Sequence, residues 1–491
     1  MGSSTNGKSR HHRTLYTNLI CDYELRREHR RFIKPNESVV YLSADKLLGN
    51  VVFDARAVSE SLGTKLDSIN QDLCEIASYV YMGDKAVSRG RYEKWTRNLS
   101  FIIPVRDPDR WNGVKELLTN TIATLSGDNV RFVFVPKYKS ATSTEFSIEP
   151  RRFHDSDCSC LLSGGLDSFA GAAYLIQQGR LPLFASHYAG GSLKTIQRST
   201  LTAIEKELGA NFHHFQYRVT SRANKKSPYK YVRKESSHRA RSFLFMSFAA
   251  VAAASRGLTD IYICENGVMS MNVPISDARK GSRSTRHAHP LYLSHFSKFI
   301  NALYEKNFNV SNPFFFWTKG EEVQLLKQAN LQSMIKGTVT CWGYPNQTLR
   351  YNYSNHCGHC LPCIVRRVSL IAAGMEAYDD QYVVNVFGES SKLGESQLRN
   401  LEDLAYFCEM FSTLSKSELI YRYPELVMIE ASNGALPGEK VDKIIQVYRK
   451  FAAEFASVAN SSSRTHHLLS SVESDLHFAP TDVTSLNPGV A

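Results

Sequence analysis

Apolar runs alternate with amphipathic segments through the middle of the chain. The strand-like runs are CSCLL (158–162), LPLFAS (181–186), NFHHFQY (211–217) and DIYIC (260–264), and helical spacing covers about 167–178, 193–208 and 241–255. Alternation of strand and helix predicts βαβ units and a parallel sheet that is covered on both faces. Ligand sites in such folds lie at the carboxyl ends of the strands.

The two ends of the chain show other patterns. Before the alternating region, strand-like runs at 38–42, 99–105 and 130–135 mix with helical spacing, and after about 380 the periodicity is helical. The predicted divisions are a basic flexible arm (1–37), an N-terminal α+β domain (38–150), the α/β core (157–380), a helical extension (381–459) and a disordered, Ser-rich tail (460–491).

Composition excludes several classes of protein. A chain of 491 residues with 43% hydrophobic and 22% charged residues is typical of a globular enzyme and argues against a collagenous or mostly disordered protein. The longest apolar run, at 243–254, is shorter than the ~20 residues that span a bilayer, and no secretory signal opens the chain. We therefore expect a cytoplasmic protein without a membrane segment, whose ten cysteines are thiols or metal ligands.

The net charge of +12 is concentrated in two segments. Residues 218–241 contain nine Lys or Arg and one acid, and residues 279–286 contain four Lys or Arg and no acid. Both segments follow predicted strands, where a ligand would bind, so phosphates and a carboxylate are favoured over nucleic acid as the partner. The alternative is that both are solvated loops.

The loop SGGLDS (163–168) follows the first core strand and opens a helix. Its glycines permit a tight turn, and the first amides of the helix favour an anion. The loop lacks the Lys of the Walker A pattern, so simple hydrolysis of a γ-phosphate is not the predicted chemistry. The alternative is an ordinary turn before a helix. The predicted anion-binding residues are Ser163, Gly164, Gly165, Leu166, Asp167 and Ser168.

A cluster of cysteines lies near the end of the core, in Cys341, Cys357, Cys360 and Cys363. Four thiolates at this spacing fit tetrahedral zinc and leave no open position for a substrate, so the predicted Zn²⁺ is structural. The alternatives are an iron–sulfur cluster, free thiols, or replacement of one cysteine ligand by His356 or His359. The other six cysteines are predicted to be mostly core residues.

The loop resembles the SGGxDS signature of the PP-loop ATP pyrophosphatases. That resemblance implies an adenine nucleotide alpha hydrolase-like fold, cleavage of ATP between its α and β phosphates, and transfer of AMP to an oxygen of the substrate. Asp167 would hold Mg²⁺ or orient the phosphates. Asp167, Ser168 and Arg241 are the catalytic candidates; Arg241 opens an apolar helix, and we expect its side chain to be partly buried and paired.

The loop and the cysteine cluster together resemble the 7-cyano-7-deazaguanine synthase, or QueC, family over residues 157–380. The resemblance implies that ATP adenylates 7-carboxy-7-deazaguanine, that ammonia gives the amide, and that a second ATP gives the nitrile. ARSFLFMSFAA (240–250) resembles the family's Gly-Arg-Asn segment, with Arg241 in the place of Arg. The cysteine cluster would then belong to a zinc-binding insert.

The chain departs from the family where the purine and ammonia are recognised. The region after 265 and the region 187–199 lack the usual family runs. Glu265 and Asn266, directly after a strand, are candidates for binding the substrate or for forming a turn, and Arg239 is a further substrate candidate. His287 and His289 are candidates for ligands or a proton-transfer pair, although loop histidines are more often neither.

The added N-terminal domain and helical extension resemble those of the QueC-like component of the Qat anti-phage defence system. That resemblance implies partner proteins from a defence operon and a deazaguanine carboxylate coupled to ammonia or to a protein amine. Two other hypotheses remain open. One is a tRNA-modifying PP-loop enzyme, and the other is a nucleotide-sensing subunit of a defence complex.

Overall fold

The structure is a computed structural model. It describes residues 15–22, 31–90, 95–137, 155–223, 235–276, 286–344, 356–388, 393–431 and 438–460.

The predicted strands and helices are present among the described residues, and the structure adds four short strands that the sequence did not predict. The strands are β1 (Thr17–Cys21), β2 (Ser38–Leu42), β3 (Val51–Val52), β4 (Asn98–Val105), β5 (Asn129–Pro136), β6 (Cys158–Leu161), β7 (Pro182–His187), β8 (His214–Tyr217), β9 (Thr220–Ser221), β10 (Asp260–Tyr262) and β11 (Asn309–Ser311). The first ten α-helices are α1 (Ala55–Leu62), α2 (Ser68–Ala86), α3 (Pro108–Gly113), α4 (Lys115–Ser126), α5 (Leu166–Gln177), α6 (Gly191–Leu208), α7 (Arg241–Ser255), α8 (Gly267–Met271), α9 (Pro290–Tyr304) and α10 (Lys319–Gln328).

The remaining α-helices are α11 (Leu361–Ala372), α12 (Glu395–Thr413), α13 (Lys416–Arg422) and α14 (Glu439–Asn460). Short 3-10 helices cover Arg286–Ala288, Gln332–Gly337, Glu376–Tyr378 and Pro424–Ala431.

The core is a parallel five-stranded sheet in the order β11-β10-β6-β7-β8. The chain leaves β6 toward β7 and β8, and it later returns to place β10 on the other side of β6. The strand order therefore reverses between β6 and β10, and a crevice at such a switch point is where α/β sheets bind ligands. Helices α7 and α9 cover one face, and α5, α6 and α10 contribute to the core on the other. The predicted parallel α/β fold is confirmed.

The N-terminal sheet has the order β2-β1-β4-β5, and all of its strand pairs are parallel. This region is therefore of the α/β type, whereas the sequence predicts an α+β domain. β1 lies between β2 and β4, and Leu19, Ile20 and Cys21 are buried in it. The prediction of a flexible arm over 1–37 is therefore wrong at 17–21, because these apolar side chains pack within the sheet. Residues 1–14 and 23–30 lie outside the described residues.

The N-terminal region and the core share one hydrophobic cluster. α2 packs against α7, and α4 packs against α9, so the buried side chains of both sheets form a continuous core. Most of the predicted linker, 138–154, lies outside the described residues. Because the two sheets share this core, the N-terminal region is expected to fold together with the α/β core.

The C-terminal region is helical, as predicted. Helices α11 to α14 enclose a hydrophobic cluster of their own, to which side chains after β10 also contribute. Of the predicted disordered tail, only Asn460 is described, and it ends α14. No helix among the described residues is both long enough and apolar enough to cross a membrane.

Candidate functional site

The glycine-rich loop joins β6 to α5 at the switch point of the sheet. Gly164 has a φ of 85°, in the left-handed region, and a Cβ at this position would lie 3.1 Å from the side chain of Ile196. Gly165 is the N-cap of α5, and no side chain caps the helix. The first amides of a helix without such a cap are available to an anion, and the helix dipole favours one there.

The hydroxyl groups of the loop bond within the loop itself. Ser168 Oγ accepts from the Ser163 amide at 3.2 Å and donates to the Gly165 carbonyl at 3.0 Å. Ser163 Oγ lies 3.0 Å from Ser168 Oγ and accepts from the Gly165 amide at 3.2 Å. These hydrogen bonds fix the shape of the turn, so Ser168 stabilises the conformation of the loop.

Asp167 lies in a buried contact with a lysine that the sequence analysis missed. Lys319 Nζ is 2.5 Å from both carboxylate oxygens of Asp167, and Asn266 Nδ2 donates to Oδ1 at 2.9 Å. The side chain of Lys319 is only 2% exposed, and that of Asp167 is 14% exposed. Burial alone would raise the pKa of Asp167, but Lys319 holds that pKa well below its usual range.

Glu322 adds a second carboxyl group to this cluster. It lies 3.9 Å from Lys319 Nζ and is completely buried. Burial, and then the negative charge of Asp167, raise the pKa of Glu322 well above its usual value, which favours the protonated form. Lys319 keeps a raised pKa in spite of its own burial, chiefly because of Asp167. One buried cation therefore lies beside two carboxyl groups whose pKa values are shifted in opposite directions.

A local conflict in the sequence could have pointed to Lys319. Thr318 and Glu321 form a capping box, which makes Lys319 the first residue of α10. A cation at the positive end of a helix dipole is unfavourable, and a residue that breaks a local rule in this way often belongs to a functional site. The strand that precedes this helix, β11, pairs with β10, and the Lys319 side chain contacts Asp167 at the switch point.

Glu265 and Asn266 follow β10, as the sequence predicts, and their polar atoms bond to protein groups. Asn266 Oδ1 accepts from the Met269 amide and caps α8, and its Nδ2 also donates to Glu265 Oε1 at 3.2 Å. The other Glu265 oxygen lies 2.5 Å from His287 Nε2. Burial and then Asp167 raise the pKa of Glu265, and His287 acts in the opposite direction. These contacts fit the turn alternative for Asn266.

The two predicted arginines lie elsewhere. Arg239 is buried, donates to the Ser126 carbonyl at 2.9 Å and lies over the ring of Trp95, so it contacts the N-terminal region and not the loop. Arg241 is exposed, with its guanidinium 5.8 Å from the Phe245 ring, and has no ion pair within the described residues. The expectation that Arg241 is partly buried and paired is wrong, because the apolar face of α7 begins one residue later.

The structure describes only part of the two basic segments. Residues 224–234 and 277–285 lie outside the described residues. Of the described basic residues, Arg222 donates to the carbonyls of Asp45 and Gly49 and thereby joins the segment to the N-terminal region.

The four predicted metal-ligating cysteines come together. The Sγ atoms of Cys341, Cys357, Cys360 and Cys363 all lie within 4.8 Å of one another, and no histidine belongs to this group of described residues. Cys341 and Cys360 Sγ are 3.9 Å apart, and Cys357 and Cys363 Sγ are 4.0 Å apart. Sulfurs at Zn–S distances of about 2.3 Å in a tetrahedron lie about 3.8 Å apart, so the cluster fits a structural Zn²⁺.

A buried arginine connects the cysteine cluster to the loop. Arg366, on the helix that follows Cys363, donates to Thr338 Oγ1 at 2.7 Å and to Asp379 Oδ1 at 2.9 Å. Val339, which directly follows Thr338, donates its amide to the Gly164 carbonyl at 2.9 Å. The cysteine cluster therefore supports the segment that holds the glycine-rich loop in place.

The fold and the loop define the class of protein: an α/β domain with an anion-binding loop at the switch point of a parallel sheet and an attached four-cysteine cluster. Residues 157–374 match the family model described as Queuosine biosynthesis protein QueC, so this part of the chain is a QueC-like domain. The match indicates an ATP-dependent PP-loop enzyme of the 7-cyano-7-deazaguanine synthase kind. No curated protein matches the chain.

Proposed function

We propose that the protein uses ATP to adenylate a 7-deazaguanine carboxylate, releases pyrophosphate, and couples the acyl group to an amine with release of AMP. The observation that carries this proposal is the Lys319 to Asp167 contact, which places a buried cation at the first turn of α5, directly after the glycine-rich loop. A phosphate chain bound by the loop would lie beside this cation.

Each group of the site has a role in that reaction. The loop amides hold phosphate oxygens, and Lys319 stabilises the negative charge that develops as pyrophosphate leaves. Both oxygens of Asp167 already contact Lys319, so of the two roles open to Asp167 we favour orientation of this lysine toward the phosphates. Mg²⁺ would accompany the triphosphate, as carboxylate and phosphate oxygens are its preferred ligands.

We further propose a role in anti-phage defence, with an amine acceptor on a partner protein or ammonia. The support for this step is the resemblance of the whole arrangement, an added N-terminal region and a helical extension around a QueC-like domain, to the QueC-like component of the Qat system. The extension contacts the site through α14, since Glu454 accepts from Thr318 Oγ1 at 2.5 Å, next to Lys319.

The test is incubation with ATP, Mg²⁺ and 7-carboxy-7-deazaguanine, with and without ammonia or candidate partner proteins. AMP and pyrophosphate are measured by chromatography, and products by mass spectrometry. An amide, a nitrile or a mass increment on a protein supports the proposal, and the absence of carboxylate-dependent AMP release with every acceptor refutes it. Lys319→Met should abolish turnover, whereas Lys327→Met, an exposed lysine on the same helix, should not.

The two competing hypotheses predict other results. All ten cysteines are buried, which disfavours a thiolation reaction that needs an accessible sulfur carrier. A tRNA-modifying enzyme would bind tRNA with an affinity that falls steeply with salt, and it would release no AMP in response to the deazapurine. If the protein is a nucleotide-sensing subunit, the variant Asp167→Ala should still support defence.

A further inference from the structure

His287 lies beside the site and makes one strong contact. It belongs to the 3-10 turn Arg286–Ala288, and its Nε2 lies 2.5 Å from Glu265 Oε2. The side chain is 32% exposed, while that of Glu265 is 13% exposed. Within the described residues, Nδ1 has no hydrogen-bond partner. The ring is thus held by one nitrogen, and the other is left for a ligand.

The position of this ring is fixed relative to the loop. Asn266 Nδ2 donates to both Asp167 and Glu265, so one amide group joins the carboxylate at the loop to the carboxylate that holds His287. The turn itself is anchored by Ser242, whose hydroxyl donates to the His287 carbonyl at 2.8 Å. An acyl adenylate formed at the loop would therefore have an imidazole close to its reacting carbon.

We infer that His287 is the general base of the amine-coupling step, with Glu265 as its partner. The nitrogen lone pair of the amine forms the C–N bond, and the proton of that nitrogen passes to His287 Nδ1. The bond from the acyl carbon to the AMP oxygen then breaks, and AMP leaves with the electron pair. The imidazolium afterwards returns its proton to water, so the products are the amide, AMP and one proton.

The surroundings of the ring suit this role. A carboxylate that accepts from one imidazole nitrogen fixes the tautomer in which the other nitrogen is a proton acceptor. It also stabilises the imidazolium after proton transfer, as the third group of a catalytic triad does. The Glu265 side chain is only 13% exposed, so little water competes with the ring for its oxygen. A base of this kind contributes about 10²–10⁴-fold to the rate.

The inference rests on the proposed function. Two partial reactions distinguish a failure of the inference from a failure of the proposed function. Exchange of pyrophosphate into ATP, dependent on 7-carboxy-7-deazaguanine, reports adenylation and needs no amine. Amide formation with ammonia reports coupling. We expect His287→Gln to keep the exchange rate and to lower coupling by about 100-fold. His295→Gln, which removes a ring on α9 that is bonded to Thr124 of α4, should change neither rate.

Rescue distinguishes proton transfer from a structural effect. Imidazole added to His287→Ala should restore part of the coupling rate without changing exchange, and this result would support the inference. Equal losses of exchange and coupling in His287→Gln, unchanged coupling, or no rescue by imidazole would overturn it. If the wild-type protein catalyses no carboxylate-dependent exchange, the proposed function fails and the role of His287 fails with it.

Discussion

Replacement of Lys319 by Met tests the electrostatic account of the site through protein stability. The lysine is 2% exposed and is the partner of Asp167, with Glu322 nearby and completely buried. Removal of one partner from a buried ion pair costs about 3–5 kcal/mol, because the other charge stays buried without compensation. We expect a loss of this size near pH 8, measured by urea unfolding with tryptophan fluorescence.

The size of the loss should depend on pH with a defined sign. In the wild-type protein Lys319 keeps the pKa of Asp167 below the unfolded value of about 3.9. Without the lysine, burial raises the pKa of Asp167 in the folded state above its value in the unfolded state. At a pH between these two pKa values, the folded state therefore binds one proton more than the unfolded state. Stability then falls as the pH rises through this window, by up to about 1.4 kcal/mol per pH unit.

The controls follow from the same contacts. Lys327→Met, on the exposed side of the same helix, should change the unfolding free energy by less than about 0.5 kcal/mol. The double variant Lys319→Met with Asp167→Asn should be more stable near pH 8 than Lys319→Met alone, since it removes the uncompensated charge. A loss that is the same at about pH 5.5 and about pH 8, or a double variant no more stable than the single one, would refute the reasoning.

Three further predictions concern the groups around the site. The wild-type protein should contain about one zinc per chain by elemental analysis, and Cys363→Ser should lose it; iron in place of zinc would contradict this. Burial raises the pKa of Glu454 to about 7. The stability that the proton of Glu454 contributes is therefore lost as the pH rises through that value. The variant Glu454→Gln should flatten the pH dependence of the unfolding free energy, measured in urea. Arg366→Met leaves Asp379 without its cation, and we expect a loss of about 3–5 kcal/mol in urea unfolding together with weaker ATP binding by calorimetry.

The sequence predicts the core sheet and the cysteine cluster well because both depend on local patterns. Alternating apolar runs predict the ends of β6, β7 and β10 to within two residues, and the cysteine spacing alone identifies the four candidate ligands. The carboxyl-edge rule correctly put the loop and Glu265 at the same edge. These features require no knowledge of which distant segments meet.

The missed features depend on contacts between distant parts of the chain. Lys319 lies 152 positions from Asp167, and nothing in the residues around it names that partner. Arg239 sits in a basic run that suggested a ligand, yet it binds the N-terminal region because helix packing brings α4 and α7 together. The error at β1 has a similar origin, since five residues form a stable strand only when β2 and β4 flank them.

The helical extension should be regarded as part of the site, because α14 contacts both elements that carry the charged cluster. Tyr448 OH donates to the carbonyl of Val268, in the helix α8 that begins directly after Asn266. It also accepts from the Val273 amide at 3.4 Å. Six residues later on the same helix, Glu454 accepts from Thr318 at the start of α10. A single rigid helix thus fixes the distance between the turn that positions Glu265 and the helix that carries Lys319. A partner that breaks one of these two contacts of α14 would release that distance, and so would alter the site without entering it.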